Sequence, residues 1–248
     1  AEKGNVTYEI TAEGKGGHSA NPGKGTPIAR LAAFICDIEE HTPFLRELPE
    51  EHRVCLRAAA RYMKGEDEEK FAAAAEETDP AYPILHEICD DAESRLGATA
   101  AFTMIQGGTS ANVLPEKAVL TMNVRVPAAQ PEKVVTKILE EKAKQYDLSI
   151  KLCSGRDASA VTSVEGWAYR LTEEVLNQVF PGMPVIPFVL GGGTDSRHFL
   201  EIAEEAVRFS PIYIHKEQGS GVHGKNERID IASLYESVEY YREFLKRL

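Results

Sequence analysis

The sequence predicts an α/β chain in two parts: an α+β domain over residues 1–153, and a smaller portion over 154–248 that reads as an unfinished α/β layer. Three observations carry this. Strand and helix patterns up to residue 153 follow the order β-α-β-β-α-β. A helical stretch rich in Ala and Glu, at about 44–96, interrupts that order once. After residue 155, three helical patterns have only two short strand patterns to pack on, too little sheet to cover their apolar stripes.

The run Val6-Thr7-Tyr8-Glu9-Ile10-Thr11-Ala12 is rich in β-formers, alternates in part, and stops at a glycine cluster. Thr26 is placed to cap a helix with Pro27 at its first position, and Ile28, Leu31, Ala32, Ile35 and Ile38 give that helix one apolar stripe. In the insertion, Glu66-Asp67-Glu68-Glu69 reads as a solvated helix start. Thr99–Gln106 and Lys117–Val126 are strand-like and are separated by a turn with Gly107-Gly108 and Pro115. Pro131 opens a helix with Val134, Val135, Ile138 and Leu139 on one side, and Leu148–Cys153 is the last strand. The order is that of the split βαβ, or ferredoxin-like, arrangement.

In the second part, Ser163 precedes a helix striped by Val164, Trp167, Ala168, Leu171, Val175 and Val179. Val185–Leu190 and Val207–Phe209 are expected as short buried strands, with a short helix from Thr194 to about Glu201 between them. A long loop, Ser210 to Arg228, leads to a last helix near Asp230. Its positions Ile231, Leu234, Val238, Tyr241, Leu245 and Leu248 form an amphipathic stripe.

Composition bounds the function. With 43% hydrophobic and 27% charged residues, the chain is ordinary globular material. A net charge of −11 argues against sequence-independent nucleic-acid binding, which needs a positive field. No apolar run approaches the roughly 20 residues that span a bilayer. Cys36, Cys55, Cys89 and Cys153 form no C-x-x-C, so they are expected as buried free thiols of a cytoplasmic protein rather than zinc ligands.

Three loops hold residues of chemical interest. Gly16-Gly17-His18-Ser19-Ala20-Asn21-Pro22 leaves an imidazole exposed between small residues. By itself such a His is a surface turn residue more often than a catalyst. Gly23-Lys24-Gly25-Thr26 fails as a phosphate loop, because Gly follows the Lys. Gly191-Gly192-Gly193-Thr194-Asp195-Ser196-Arg197 opens a short helix, where Arg197 could hold a carboxylate in its planar fork, although a plain turn fits as well. Gly221-Val222-His223-Gly224-Lys225-Asn226-Glu227 presents His223 in a loop of small residues. One His does not make a zinc site, which needs three or four ligands. No His-x-Asp pair exists, and His86-Glu87 has Asp90 where a second zinc-protease His would fall.

Taken in order, GKGGHSANP (14–22), TSANVLPEKAVLTMNVRV (109–126), GGGTDSRHF (191–199) and RFSPIYIHKEQGSGVHGKNERI (208–229) resemble the co-catalytic zinc metallopeptidases. That family includes carboxypeptidase S, aminoacylase, glutamate carboxypeptidase and succinyl-diaminopimelate desuccinylase, and the carboxypeptidase S branch is the most similar. The resemblance implies that 1–153 is a ferredoxin-like lid, or dimerisation, domain. It implies that 154–248 is the C-terminal part of a catalytic domain whose N-terminal segment, with most metal ligands and the general base, has no counterpart here. It implies His223 as a zinc ligand, and His18 as the donor that stabilises the oxyanion in a partner subunit's site. Asn112, Arg197, Gly192 and Gly193 become substrate contacts, Arg197 holding a free carboxylate. It also implies two Zn2+ per complete site, with Co2+ or Mn2+ as substitutes, a homodimer, and a peptide or N-acyl amino acid substrate. The alternative is a non-catalytic ferredoxin-like dimerisation or ligand-binding module that has lost its metal site.

Overall fold

The computed structural model describes residues 1–219, 221–222 and 224–248. It divides into two compact units, the first comprising 1–160 with 188–193 and the second 161–187 with 194–248.

The first unit is built on β1 (Gly4–Glu13). Its side chains alternate between the faces of the sheet: Val6, Tyr8, Ile10 and Ala12 are fully buried, while Asn5, Thr7, Glu9 and Thr11 are half-exposed on the other face. A two-residue strand, β2 (Gly17–His18), follows, then α1 (Pro27–Glu40). The insertion supplies α2 (Glu50–Ala60), α3 (Glu66–Glu76), α4 (Pro83–Ile88) and α5 (Ala92–Leu96). β3 (Thr99–Gly107), the short β4 (Val113–Leu114), β5 (Lys117–Val126), α6 (Glu132–Lys144) and β6 (Ser149–Arg156) complete the unit.

The main sheet has the order β3-β5-β1-β6 with every neighbouring pair antiparallel, and β2 pairs with β4 outside it. Without the small hairpin and the insertion, this is the expected ferredoxin-like arrangement. Leu31, Phe34 and Ile38 of α1 and Val135, Leu139 and Ala143 of α6 meet Leu120, Met122 and Val124 of β5 in one core. The face of α1 differs from expectation: Phe34 is buried where Ala32 was expected, and Ile28 is exposed. Phe34 wins because its ring reaches Phe102 and Tyr146, both edge-on, at 6.4 and 5.8 Å. Thr26 is the N-cap by position, but its hydroxyl makes no cap hydrogen bond, and Pro27 alone fixes the start.

The insertion has its own core of Leu48, Leu56, Ala74, Ala75, Tyr82, Leu85 and Leu96. Buried Glu77 accepts the backbone N–H groups of Ile84 and Leu85 at 2.9 and 3.0 Å, which satisfies the start of α4. Arg53 donates to the carbonyls of Leu48, Ala75 and Glu77 at 3.2, 2.6 and 3.1 Å. The ends of the insertion are fastened together. Glu47 N–H donates to the Leu96 carbonyl at 2.6 Å, and Gln130 brackets Leu45 with bonds of 3.1 and 2.8 Å to its N–H and carbonyl. A Cβ on Gly97 would come within 2.3 Å of the Leu45 carbonyl, so only glycine fits that approach.

The second unit contains α7 (Trp167–Val179), α8 (Ser196–Phe199), α9 (Lys216–Gly219) and α10 (Ile231–Leu245). Leu171, Val175 and Leu176 of α7 pack against Tyr240 of α10. The two strands expected here do not form. Of Val185–Leu190, only Leu190 pairs, in a single parallel bridge with Glu2, both residues lying in the first unit, and Val207–Phe209 is irregular. A strand needs a neighbour to hydrogen-bond along its length; among the described residues Leu190 alone has one, accepting from Lys3 N–H at 2.9 Å and donating to the Ala1 carbonyl at 3.0 Å. The expected stripe of α10 is also uncovered: Ile231, Leu234, Val238, Tyr241, Leu245 and Leu248 are between 42% and 71% exposed, while Ser233, Ser237 and Tyr240 are buried.

All four cysteines are free, but only Cys55 is buried; Cys36 and Cys153 are exposed. Among the described residues, no helix is long and apolar enough to cross a membrane.

Candidate functional site

The hairpin outside the main sheet brings His18 and Asn112 together. His18 stands opposite Val113 in the β2–β4 ladder, and Ser19 N–H donates to the Asn112 carbonyl at 3.0 Å. Both side chains are exposed. The orientation of each is fixed locally. Ala20 N–H donates to Nδ1 of His18 at 3.1 Å. A ring nitrogen that accepts carries no proton, so the neutral imidazole holds its proton on Nε2, where it is a donor. Ser110 Oγ donates to Oδ1 of Asn112 at 2.7 Å, leaving the amide NH2 as that side chain's outward donor. The hairpin thus presents two neutral donors, the equipment to hold an oxygen on which charge develops.

Arg197 lies in the first turn of α8, in the second unit. Its Nη1 donates to the Thr194 carbonyl at 2.8 Å, and its Nε is buried without a hydrogen-bond partner among the described residues. The loop is tightened further by Thr194 Oγ1, which meets Ser196 Oγ at 2.8 Å. Gly192 and Gly193 belong to the first unit. A Cβ on Gly192 would meet nothing within 4 Å, so no neighbour among the described residues requires glycine there. His223 lies outside the described residues.

The donors present do not complete a zinc site. Among the described residues, no three His, Cys, Asp or Glu side chains come together as a metal site. With at most His223 to add, they fall short of the three or four ligands that zinc takes.

Two further groups carry no signal in the sequence. Buried His52 has an Nδ1 with no hydrogen-bond partner among the described residues; burial holds it at about pH 4, with Arg95 and Lys3 adding to the effect. Beside it, burial lowers the Lys3 ammonium to about 8, although Nζ donates to the Gly97 carbonyl at 2.6 Å. His215, Gln218 and Asp230 form a second network around the long loop. Their spacing follows no helix or strand period, so only a folded loop reveals it.

The peptidase dimerisation domain (M20_dimer) matches residues 1–150. The chain belongs to the M20 peptidase dimerisation domain family. The M20 likeness extends past the matched domain. The chain is 26% identical over 260 residues to the N-fatty-acyl-amino acid synthase/hydrolase PM20D1 of Xenopus tropicalis, covering 99% of this chain and 48% of that protein. It is 24% identical to the probable carboxypeptidase S-like 2 of Dictyostelium discoideum, covering 99% and 47%. The chain thus spans about half the length of the curated relatives it matches. Among solved structures, it shares its fold with the di-peptidase Dug1p of Saccharomyces cerevisiae (TM-score 0.63, 16% identity, 99% of this chain and 54% of that one). It shares it also with the M20 family metallo-carboxypeptidase Sso-CP2 of Sulfolobus solfataricus (TM-score 0.59, 20% identity, 98% and 62%).

Proposed function

We propose that this chain is the lid and the C-terminal catalytic portion of a metal-dependent hydrolase that cleaves a peptide or N-acyl amino acid bond next to a free carboxylate. The observation that carries the reading is the β2–β4 hairpin, which exposes the Nε2–H of His18 beside the Asn112 amide. In this reading His18 donates to the oxyanion of the tetrahedral intermediate, and Asn112 orients the substrate. Arg197 pairs with the substrate carboxylate, and Gly192 and Gly193 leave room for its backbone. His223 is one metal ligand. Zinc, or Co2+ or Mn2+ in its place, would supply Lewis acidity and an acidified water. The remaining ligands and the general base belong to a segment outside this chain. The half-length match to the relatives and the uncovered stripe of α10 both support such a segment.

The domains are read as a lid over 1–153 and a catalytic portion over 154–248. The matched domain's name supports a homodimer through the lid, and the four free cysteines support the cytoplasm. Sedimentation of a monomer at high concentration would remove the dimer.

The test uses the full-length gene product: zinc titration together with hydrolysis of N-acyl amino acids and dipeptides. Wild type is expected to need metal, and His223→Ala to lose it. His18→Ala should lower kcat by about 10²–10³ with KM and metal content retained. Undiminished activity in His223→Ala rejects the assignment, and a full-length product without hydrolysis leaves the non-catalytic module.

A further inference from the structure

The long loop between Ser210 and α10 is closed by side chains that the proposed chemistry does not use. His215 N–H donates to Oε1 of Gln218 at 2.8 Å, and Nε2 of Gln218 donates to Oδ1 of Asp230 at 3.1 Å. The other oxygen of Asp230 takes Nε2 of His215 at 3.1 Å. The three residues therefore form a closed ring across the foot of the loop, with the His215 backbone N–H as one link. Gln218 is almost wholly buried at its centre, while His215 and Asp230 are about half-exposed. Two further ties flank the ring. Buried Ser233 accepts from the Tyr213 N–H at 2.5 Å and donates to its carbonyl at 3.3 Å. The Tyr213 and His215 rings meet edge-on at 4.7 Å.

Asp230 gives up something for this. It is the N-cap residue of α10, yet its side chain makes no cap hydrogen bond. An Asp at that position ordinarily accepts from its own helix, for about 1 kcal/mol. Here both carboxylate oxygens face across the loop instead. A residue that forgoes the local rule marks a place where something else is held. Between Gln218 and Asp230 the described residues turn tightly: Gly221 N–H donates to the Gln218 carbonyl at 3.0 Å, Gly224 N–H to the Gly221 carbonyl at 2.8 Å, and Asn226 has a left-handed backbone.

We propose that His215, Gln218 and Asp230 are positioning residues: they clasp the foot of the loop whose sequence carries His223, and hold its described residues, 221–222 and 224–229, in one conformation. The proposal rests on the functional reading of His223 for its purpose, but the clasp itself can be tested without it. Backbone hydrogen exchange is read over residues 217–229 in the full-length product without added metal. Asp230→Ala and Gln218→Ala should each speed exchange there about tenfold, the factor expected for losing hydrogen bonds of ordinary net strength. Exchange in α7 and α10 should not change. Asp230→Asn keeps an acceptor for Gln218 and should lie between wild type and Asp230→Ala. Unchanged exchange at 217–229 in both alanine variants overturns the clasp. In an active full-length enzyme, kcat should fall in step with the loosening; faster exchange with unchanged kcat overturns the positioning role. A wild type without hydrolysis rejects the functional reading, and exchange alone then decides the clasp.

Discussion

His52 shows what a single buried side chain does to the pH response. Its folded-state pKa, about 4, lies below the ordinary value of 6.5 because burial penalises the charged ring. Between those values the unfolded chain binds a proton that the folded chain refuses, so stability falls as pH falls from about 6.5 to about 4. The loss attributable to this residue is up to about 3 kcal/mol. Urea unfolding at pH 7 and pH 4.5 should show that slope reduced in His52→Gln; an unchanged slope would place the acid sensitivity elsewhere. Arg197 makes a second residue-scale test. Arg197→Lys keeps the charge but loses the planar fork, so KM for substrates with a free carboxylate should rise more than tenfold with kcat less affected. Neither local setting was legible beforehand. The sequence displays His18 and Asn112 as two loop residues far apart, and only the pairing of β2 with β4 makes them neighbours. The proton position on His18 follows from a bond to Ala20, two residues away, that depends on the turn conformation.

Elements with a partner were legible; elements without one were not. The alternation in β1 and β5 maps onto buried and half-exposed faces because those strands lie inside the sheet. Val185–Leu190 has an equally apolar composition, but a strand is a paired object, and the described residues offer it one bridge. The face of α1 was legible in part: Leu31 and Ile38 are buried as expected, while Phe34 outcompetes Ala32 by filling more of the core of the lid. Phe34→Ala should cost about 3–5 kcal/mol, read as a lower urea midpoint. Within the insertion, the start of α4 depends on a carboxylate from outside its own turn. Glu77→Ala leaves the Ile84 and Leu85 amides buried without a partner and should cost about 2 kcal/mol. A midpoint matching wild type would mean that other groups satisfy them.

At the scale of the molecule, the uncovered apolar stripe of α10 sets how the chain behaves by itself. An apolar surface of this extent marks an interface or an aggregation site. The isolated chain should bind a hydrophobic dye such as ANS, and Val238→Glu with Leu245→Glu should weaken that binding without loss of helical signal. In the full-length product the same pair should abolish folding, because the stripe is then covered. Dye binding unaffected by the pair would place the sticky surface elsewhere. The shortage of strands after residue 155 was legible from counting; what covers the helices was not, because among the described residues nothing covers the stripe of α10.

The fastening of Glu47 to Leu96, and of Leu45 to Gln130, makes the insertion a side branch with a closed stem. Chain that leaves and returns through one point can grow or shrink at its far end with little effect on the strands at its base, since lengthening a closed loop costs only logarithmically. The branch α2–α5 is therefore the part of this lid most open to exchange between homologues. A graft cut at the stem should leave the register of β1, β3 and β5 intact, whereas one cut inside α1 or β3 should not.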